Sequence, residues 1–152
     1  MKTKIKILTR VITIIILVGI LFFVVNFYFS NSEHEVKRII DGDTFVIESG
    51  EHIRMIGINS PEKGEFYYDN ATDCLKDLIL GKKIILESDV KNKDYFGRLL
   101  RYVFTKYGFV NLGMVERGCA AYYDPKPNNK YSEQLINAEN KSRELKLGMW
   151  VK

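Results

Sequence analysis

"EVKRIIDGDTFVIESGEHIRMIGI", residues 35–58, sets three β-rich runs in a row with only turn formers between them. "EVKRII", "DTFVIES" and "HIRMIGI" are dense in β-branched and aromatic side chains, and "SGE" at 49–51 reads as a hairpin turn. No helix fits between the runs, which argues against alternating βαβ units and for a small β-barrel of α+β type.

Downstream, "YYDNATDCLKDLILGKK" has helical spacing at Ala71, Cys74, Leu75, Leu78 and Ile79, with Gly81 where a helix would end. "KIILESDV" and "RLLRYVFTKYGFV" return to strand, joined by the charged loop "KNKDYFG". "NLGMVERGCAA" predicts a short helix capped by Asn111 and stopped by Gly118. "YYDPKPNNK" is a loop because of its prolines and paired asparagines, and a last helix is expected from about Ser132 to Lys146, before Gly148 and Trp150. Five strands with three helices between and after them fit a five-stranded OB-fold barrel.

The first thirty residues differ in kind. From Val11 to Phe29 the chain runs nineteen residues without a charge, about the length that crosses a bilayer. Lys2, Lys4, Lys6 and Arg10 precede the run and predict a cytoplasmic N-terminus with the rest outside. The expected organisation is a cytoplasmic tip and transmembrane anchor over residues 1–30, a linker over 31–35 and one domain over 36–152. A cleavable signal peptide is the competing reading and would release the domain by secretion.

Composition narrows the function classes. Four of the 23 Lys and Arg lie in the first thirty residues, which hold no acid, so the other 19 face 19 Asp and Glu. The domain is neutral overall, and net charge gives no argument for a polyanionic ligand; any such argument must be local. Cys74 and Cys119 could pair in an oxidising compartment or sit as small buried apolar residues, and the reading leans to unpaired.

Two arginines and a set of oxygen-bearing residues carry the chemistry. Arg54 falls mid-strand in "HIRMIGI", with Ile53 and Met55 on one face and Arg54, Ile56 and Ile58 on the other. A guanidinium keeps its charge, so if buried there it needs an acidic or phosphate partner; the plainer reading sets it on a solvated edge. Pairing the strands at 43–48 and 52–58 as a hairpin brings Asp43 near Asn59 and Ser60, an oxygen set suited to a hard divalent cation. Arg98 follows Gly97 at the mouth of a strand, open to a ligand or simply to solvent.

Four blocks in this order, "VKRIIDGDTFVI", "HIRMIGINSPE", "KDYFGRLLRYVF" and "KPNNKYSEQLINAENKSRELKLGMW", resemble the staphylococcal nuclease (thermonuclease) family from about Val36 to Trp150. The resemblance implies an OB-barrel with three helices that hydrolyses DNA and RNA with calcium, leaving 3′-phosphates. It places Arg54 and Arg98 on the catalytic arginines and Glu62 on the general base. Asp43 falls on a calcium ligand, Ser60 on a residue that lends its backbone carbonyl, and Asp41 on an acid beside the metal. Asn59 stands where the best-known members carry a second calcium-binding aspartate, which lowers the charge of the site. Phe96 replaces a tyrosine that bonds a terminal phosphate, and Tyr122 and Tyr123 lie near the family's aromatic substrate contacts. No protein partner is implied, and a monomer is expected. The alternative is an OB module that holds single-stranded nucleic acid without cutting it.

Overall fold

The computed structural model describes residues 13–21 and 33–151. The chain divides into two compact units, residues 1–32 and 33–152. In the first, helix α1 covers residues 13–21, and its side chains are exposed. No helix among the described residues is long and apolar enough to cross a membrane. The span expected over residues 11–29, like the basic tip before it, lies largely outside the described residues.

The second unit begins with β1 (Glu33–Ile39), β2 (Thr44–Ile47) and β3 (His52–Met55), followed by β4 (Ile58–Asn59) and α2 (Tyr68–Ile79). Next come β5 (Lys83–Glu87), β6 (Leu99–Thr105), β7 (Gly108–Phe109), α3 (Val110–Glu116), β8 (Ala121–Tyr122), α4 (Ser132–Glu144) and a 3₁₀ turn at Gly148–Trp150. The sheet order β3-β2-β1-β5-β6 closes when β6 pairs with β3 in parallel, Ile53 opposite Leu99 and Met55 opposite Arg101. The result is a closed five-stranded barrel of OB type, as expected, with α2, α3 and α4 around it. Closure removes the exposed edges that an open five-stranded sheet would leave.

The barrel interior is filled from alternate strand positions. Phe45, Ile47, Ile53, Met55, Ile84 and Val103 point inward, and Ala71, Leu75 and Ile79 of α2 with Val110, Met114 and Val115 of α3 join them. Each large apolar side chain buried this way contributes roughly 1.5–3 kcal/mol. Helix α2 ends where Gly81 takes a left-handed φ of 70°, as its position predicts.

Four expectations need correction. β1 starts at Glu33, within the stretch read as a linker, because Glu33, His34 and Glu35 pair with Ile85, Ile84 and Lys83 of β5. "HIRMIGI" is not one strand: β3 stops at Met55, Gly57 turns the chain at φ 78°, and Ile56 and Ile58 are both buried rather than sharing the outer face of Arg54. A Cβ at Gly57 would sit 2.7 Å from the Leu135 side chain, so the turn also needs the missing side chain. Asn111 lies inside α3 rather than capping it; its buried amide accepts from Val103 N at 2.9 Å and donates to Ile56 O at 2.8 Å. Cys74 and Cys119 form a disulfide, with Cα atoms 6.5 Å apart, joining α2 to the segment between α3 and β8.

Candidate functional site

The hairpin of β2 and β3 sets the first half of the site. Phe45 opposes Ile53 and Thr44 opposes Arg54, and Met55 N donates to Asp43 O at 2.9 Å. Asp43 therefore sits at the open end of the hairpin, 5% exposed. Its Oδ2 accepts from Ser60 N at 2.8 Å and from Ser60 Oγ at 3.2 Å, while Oδ1 accepts from Thr44 Oγ1 at 2.9 Å. The chain reversal at Gly57 is what returns Ser60 to this point. Gly42 makes room for it: a Cβ there would lie 2.6 Å from the Ser60 Cβ.

Asp41 folds back on the same turn, its Oδ1 accepting from Asp43 N at 3.0 Å. Burial, and then the neighbouring Asp43 charge, push the Asp41 carboxyl above the ordinary carboxylate range. The two carboxylates thus sit side by side on one turn.

Arg54 answers part of that charge. Its Nε lies 3.2 Å from Asp43 Oδ1, both side chains largely buried. One terminal nitrogen donates to Met55 O at 2.7 Å and Ile58 O at 2.8 Å, and the other to Asn59 Oδ1 at 2.9 Å. The carbonyl contacts fix the guanidinium plane, so Arg54 is held ready rather than free to search. The solvated-edge reading of Arg54 does not hold.

The second cation is set by a turn. Asp94 Oδ1 accepts from Phe96 N at 2.9 Å and Arg98 N at 3.0 Å, and its Oδ2 accepts from Arg98 Nε at 2.6 Å. Gly97, at φ 80°, closes the turn. Burial alone would raise the Asp94 carboxyl, but the hydrogen bonds and charge of Arg98 outweigh it and hold the group below the usual range. Arg98 also reaches Thr44 Oγ1 at 3.3 Å, across the barrel seam. Both guanidinium groups therefore converge on the start of β2. Asp94 and Thr44 were missed in the sequence, although an aspartate three residues before a glycine is a recognisable side-chain turn signal.

Arg54, Asn59, Asp94, Phe96 and Arg98 line an open groove of about 390 Å³, with Lys91, Lys126 and Tyr123 on its far wall. Asn128, buried, locks that wall: its Oδ1 accepts from Lys91 N at 2.6 Å and its amide donates to Lys91 O at 2.8 Å. Phe96 is exposed at the rim with Arg98 5.5 Å from its ring centroid. Tyr123 faces the groove, whereas Tyr122 is half-buried in β8 against the core and does not line it. Glu62 is exposed on the turn after Pro61, where its N donates to Glu65 Oε2 at 2.7 Å; it does not line the groove.

Among the described residues no three His, Cys, Asp or Glu side chains gather into a metal-binding group. Asp41, Asp43 and Ser60 are linked by hydrogen bonds and Asn59 joins them through Arg54, and their side-chain donors are all oxygens. That chemistry suits a hard cation such as calcium.

A closed OB-type barrel that aims two fixed guanidinium groups and an acidic turn at one end of an open groove defines a class of protein that handles phosphate-bearing ligands. Residues 52–152 match the family described as Staphylococcal nuclease homologue. The chain is 32% identical over 126 residues to a thermonuclease of Staphylococcus hyicus, covering 77% of this chain and 75% of the relative. It is 34% identical over 119 residues to an uncharacterized endonuclease of Escherichia coli O157:H7, covering 76% and 74% respectively. A further relative is endonuclease YncB of Bacillus subtilis, 32% identical over 128 residues, covering 77% of this chain and 61% of that one. The protein belongs to the staphylococcal nuclease family.

Proposed function

We propose that this protein is a nuclease that hydrolyses phosphodiester bonds of DNA, RNA or both with calcium, leaving 3′-phosphates. The observation that carries the reading is that Arg54 and Arg98, which both line one groove, converge on the adjacent residues Asp43 and Thr44. A scissile phosphate between them would exchange their contacts with Asn59 Oδ1 and Thr44 Oγ1 for its own oxygens. Guanidinium groups already fixed by Ile58 O and by Asp94 stabilise the extra negative charge of the attacked phosphorus without reorganising. Glu62 accepts the proton of the attacking water once the substrate strand covers the turn that carries it, a contribution of about 10²–10⁴ in rate. Asp43, Asn59 and the Ser60 carbonyl, with Asp41 behind them, would hold a calcium ion, which would supply charge neutralisation at the phosphate.

The location proposed is the outer face of the cell membrane, anchored through residues 11–29, or the exterior if that segment is cleaved. Supporting it are the basic flank of the apolar run and the Cys74–Cys119 disulfide, a bond that persists outside the reducing cytosol. The protein would act there as a monomer.

A second reading, a single-strand binding module that does not cut, is favoured by the neutral Asn59 and by Glu62 lying outside the groove. The deciding experiment is hydrolysis of single-stranded DNA and RNA by the full chain in micelles with calcium, with magnesium and with chelator, beside Arg54→Ala and Arg98→Ala. Cleavage only with calcium, lost in either variant by about 10² or more, supports the nuclease. Binding without cleavage at any calcium level leaves the binding module.

A further inference from the structure

We propose that a second nucleobase subsite lies on the far side of Asn59 from the groove, with Phe66 and Trp150 as its stacking walls. The β4–β8 ribbon, Asn59 opposite Ala121, divides the surface here. On one side is the groove with Arg54 and Tyr123; on the other is a shallow depression of about 360 Å³ bounded by Asn59, Ser60, Pro61, Phe66, Met149 and Trp150.

Three observations point to a base as the occupant. Asn59 borders both depressions, so they adjoin and a strand whose phosphate lies at Arg54 has a continuous surface for its next nucleotide towards Phe66. Phe66, 51% exposed, presents a large apolar ring beside the polar end of the candidate site. Glu65, on the same wall, belongs to the turn that carries Glu62, so an occupant there would cover the group assigned as base. Trp150 is held on one ring face by Arg143, itself bonded to Glu139 at 2.8 Å and 3.0 Å, whose guanidinium lies 3.5 Å from the indole centroid. A pre-set aromatic wall stacks any base without reading its edge, which makes the subsite tolerant of sequence.

This inference rests on the nuclease reading, and its test separates the two. Trp150 is the sole tryptophan and therefore a built-in reporter. The full chain in detergent micelles, with calcium, is titrated with thymidine 3′,5′-bisphosphate, a single nucleotide, and with a thymidine hexanucleotide bearing hydrolysis-resistant phosphorothioate linkages. The hexanucleotide should change Trp150 emission and the bisphosphate should not. In calcium, Phe66→Ala should raise KM for the unmodified hexanucleotide about tenfold with kcat within twofold, and be rescued by Phe66→Tyr. Unchanged emission with the hexanucleotide bound, together with an unchanged KM in Phe66→Ala, overturns the subsite and leaves the groove standing. An emission change that follows protein concentration rather than oligonucleotide also overturns it, because the occupant is then a second copy of the chain. Failure of both ligands to bind, with Arg54→Ala and Arg98→Ala behaving as the parent, sinks the nuclease reading itself.

Discussion

At the scale of single residues, the site is a balance of charge over a few oxygens. Asn59 takes the guanidinium of Arg54 on its amide oxygen but adds no charge. Asn59→Asp should tighten calcium binding about tenfold in calorimetry, since affinity in such sites follows the number of charged ligands; equal affinity would show that Asn59 is no ligand. Asp41 offers the complementary test. Its folded carboxyl titrates above the ordinary value of 3.8, so the native state holds this proton more tightly than the unfolded chain does, and ionisation at neutral pH withholds stability. Asp41→Asn keeps the acceptor for Asp43 N and removes the charge. Without calcium, the variant should melt higher than the parent at pH 7, with a gap that narrows as pH falls towards 4; with saturating calcium the parent should gain more than the variant. A lower melting point for the variant at pH 7 in chelator would remove the charge argument.

At the scale of elements, one side chain couples three of them. Asn111 in α3 bonds Val103 of β6 and Ile56 just past β3, at the parallel seam that closes the barrel. Asn111→Ala would leave a buried donor and a buried acceptor without partners, a cost of about 2–5 kcal/mol, read as a lower urea midpoint. Because the same seam carries Arg98 to Thr44, activity of the folded fraction should fall with it. Sequence placed α3 correctly and misread Asn111, since an asparagine near a helix start looks like a cap whichever way its amide points. The break at Gly57 was hidden for a related reason. "HIRMIGI" alternates well enough to read as a strand, and only the Leu135 side chain, 2.7 Å from where a Cβ would stand, reveals that the chain must turn.

At the scale of the whole molecule, the disulfide ties together what the barrel alone does not. Cys74 and Cys119 are 45 residues apart, and closing a loop of that length in the unfolded chain stabilises the fold by about 4 kcal/mol in the chain-entropy account. Reduction, or Cys74→Ser with Cys119→Ser, should lower stability by that order while leaving the calcium dependence of the folded fraction unchanged. A change in calcium dependence would mean that the bond also shapes the groove wall running from Tyr123 to Asn128.

The sequence by itself determined the strand and helix periodicities, the three consecutive strands that make a barrel the economical solution, and the presence of a guanidinium mid-strand that needs a partner. Those are local properties, set by side-chain spacing and turn chemistry within a few residues. Tertiary structure decided who the partners are. Arg98 reaches Thr44 across 54 residues and the cysteines meet across 45, whereas the hairpin pairing read from the sequence already sets Asp43 near Ser60. Tertiary structure also set Glu62 outside the groove and Tyr122, half-buried, against the core. The Arg98–Thr44 contact runs across the seam closed by β3 and β6, and the return of Ser60 to Asp43 follows the turn at Gly57. Such long-range contacts follow from packing the whole chain at once, and no window of neighbouring residues contains them.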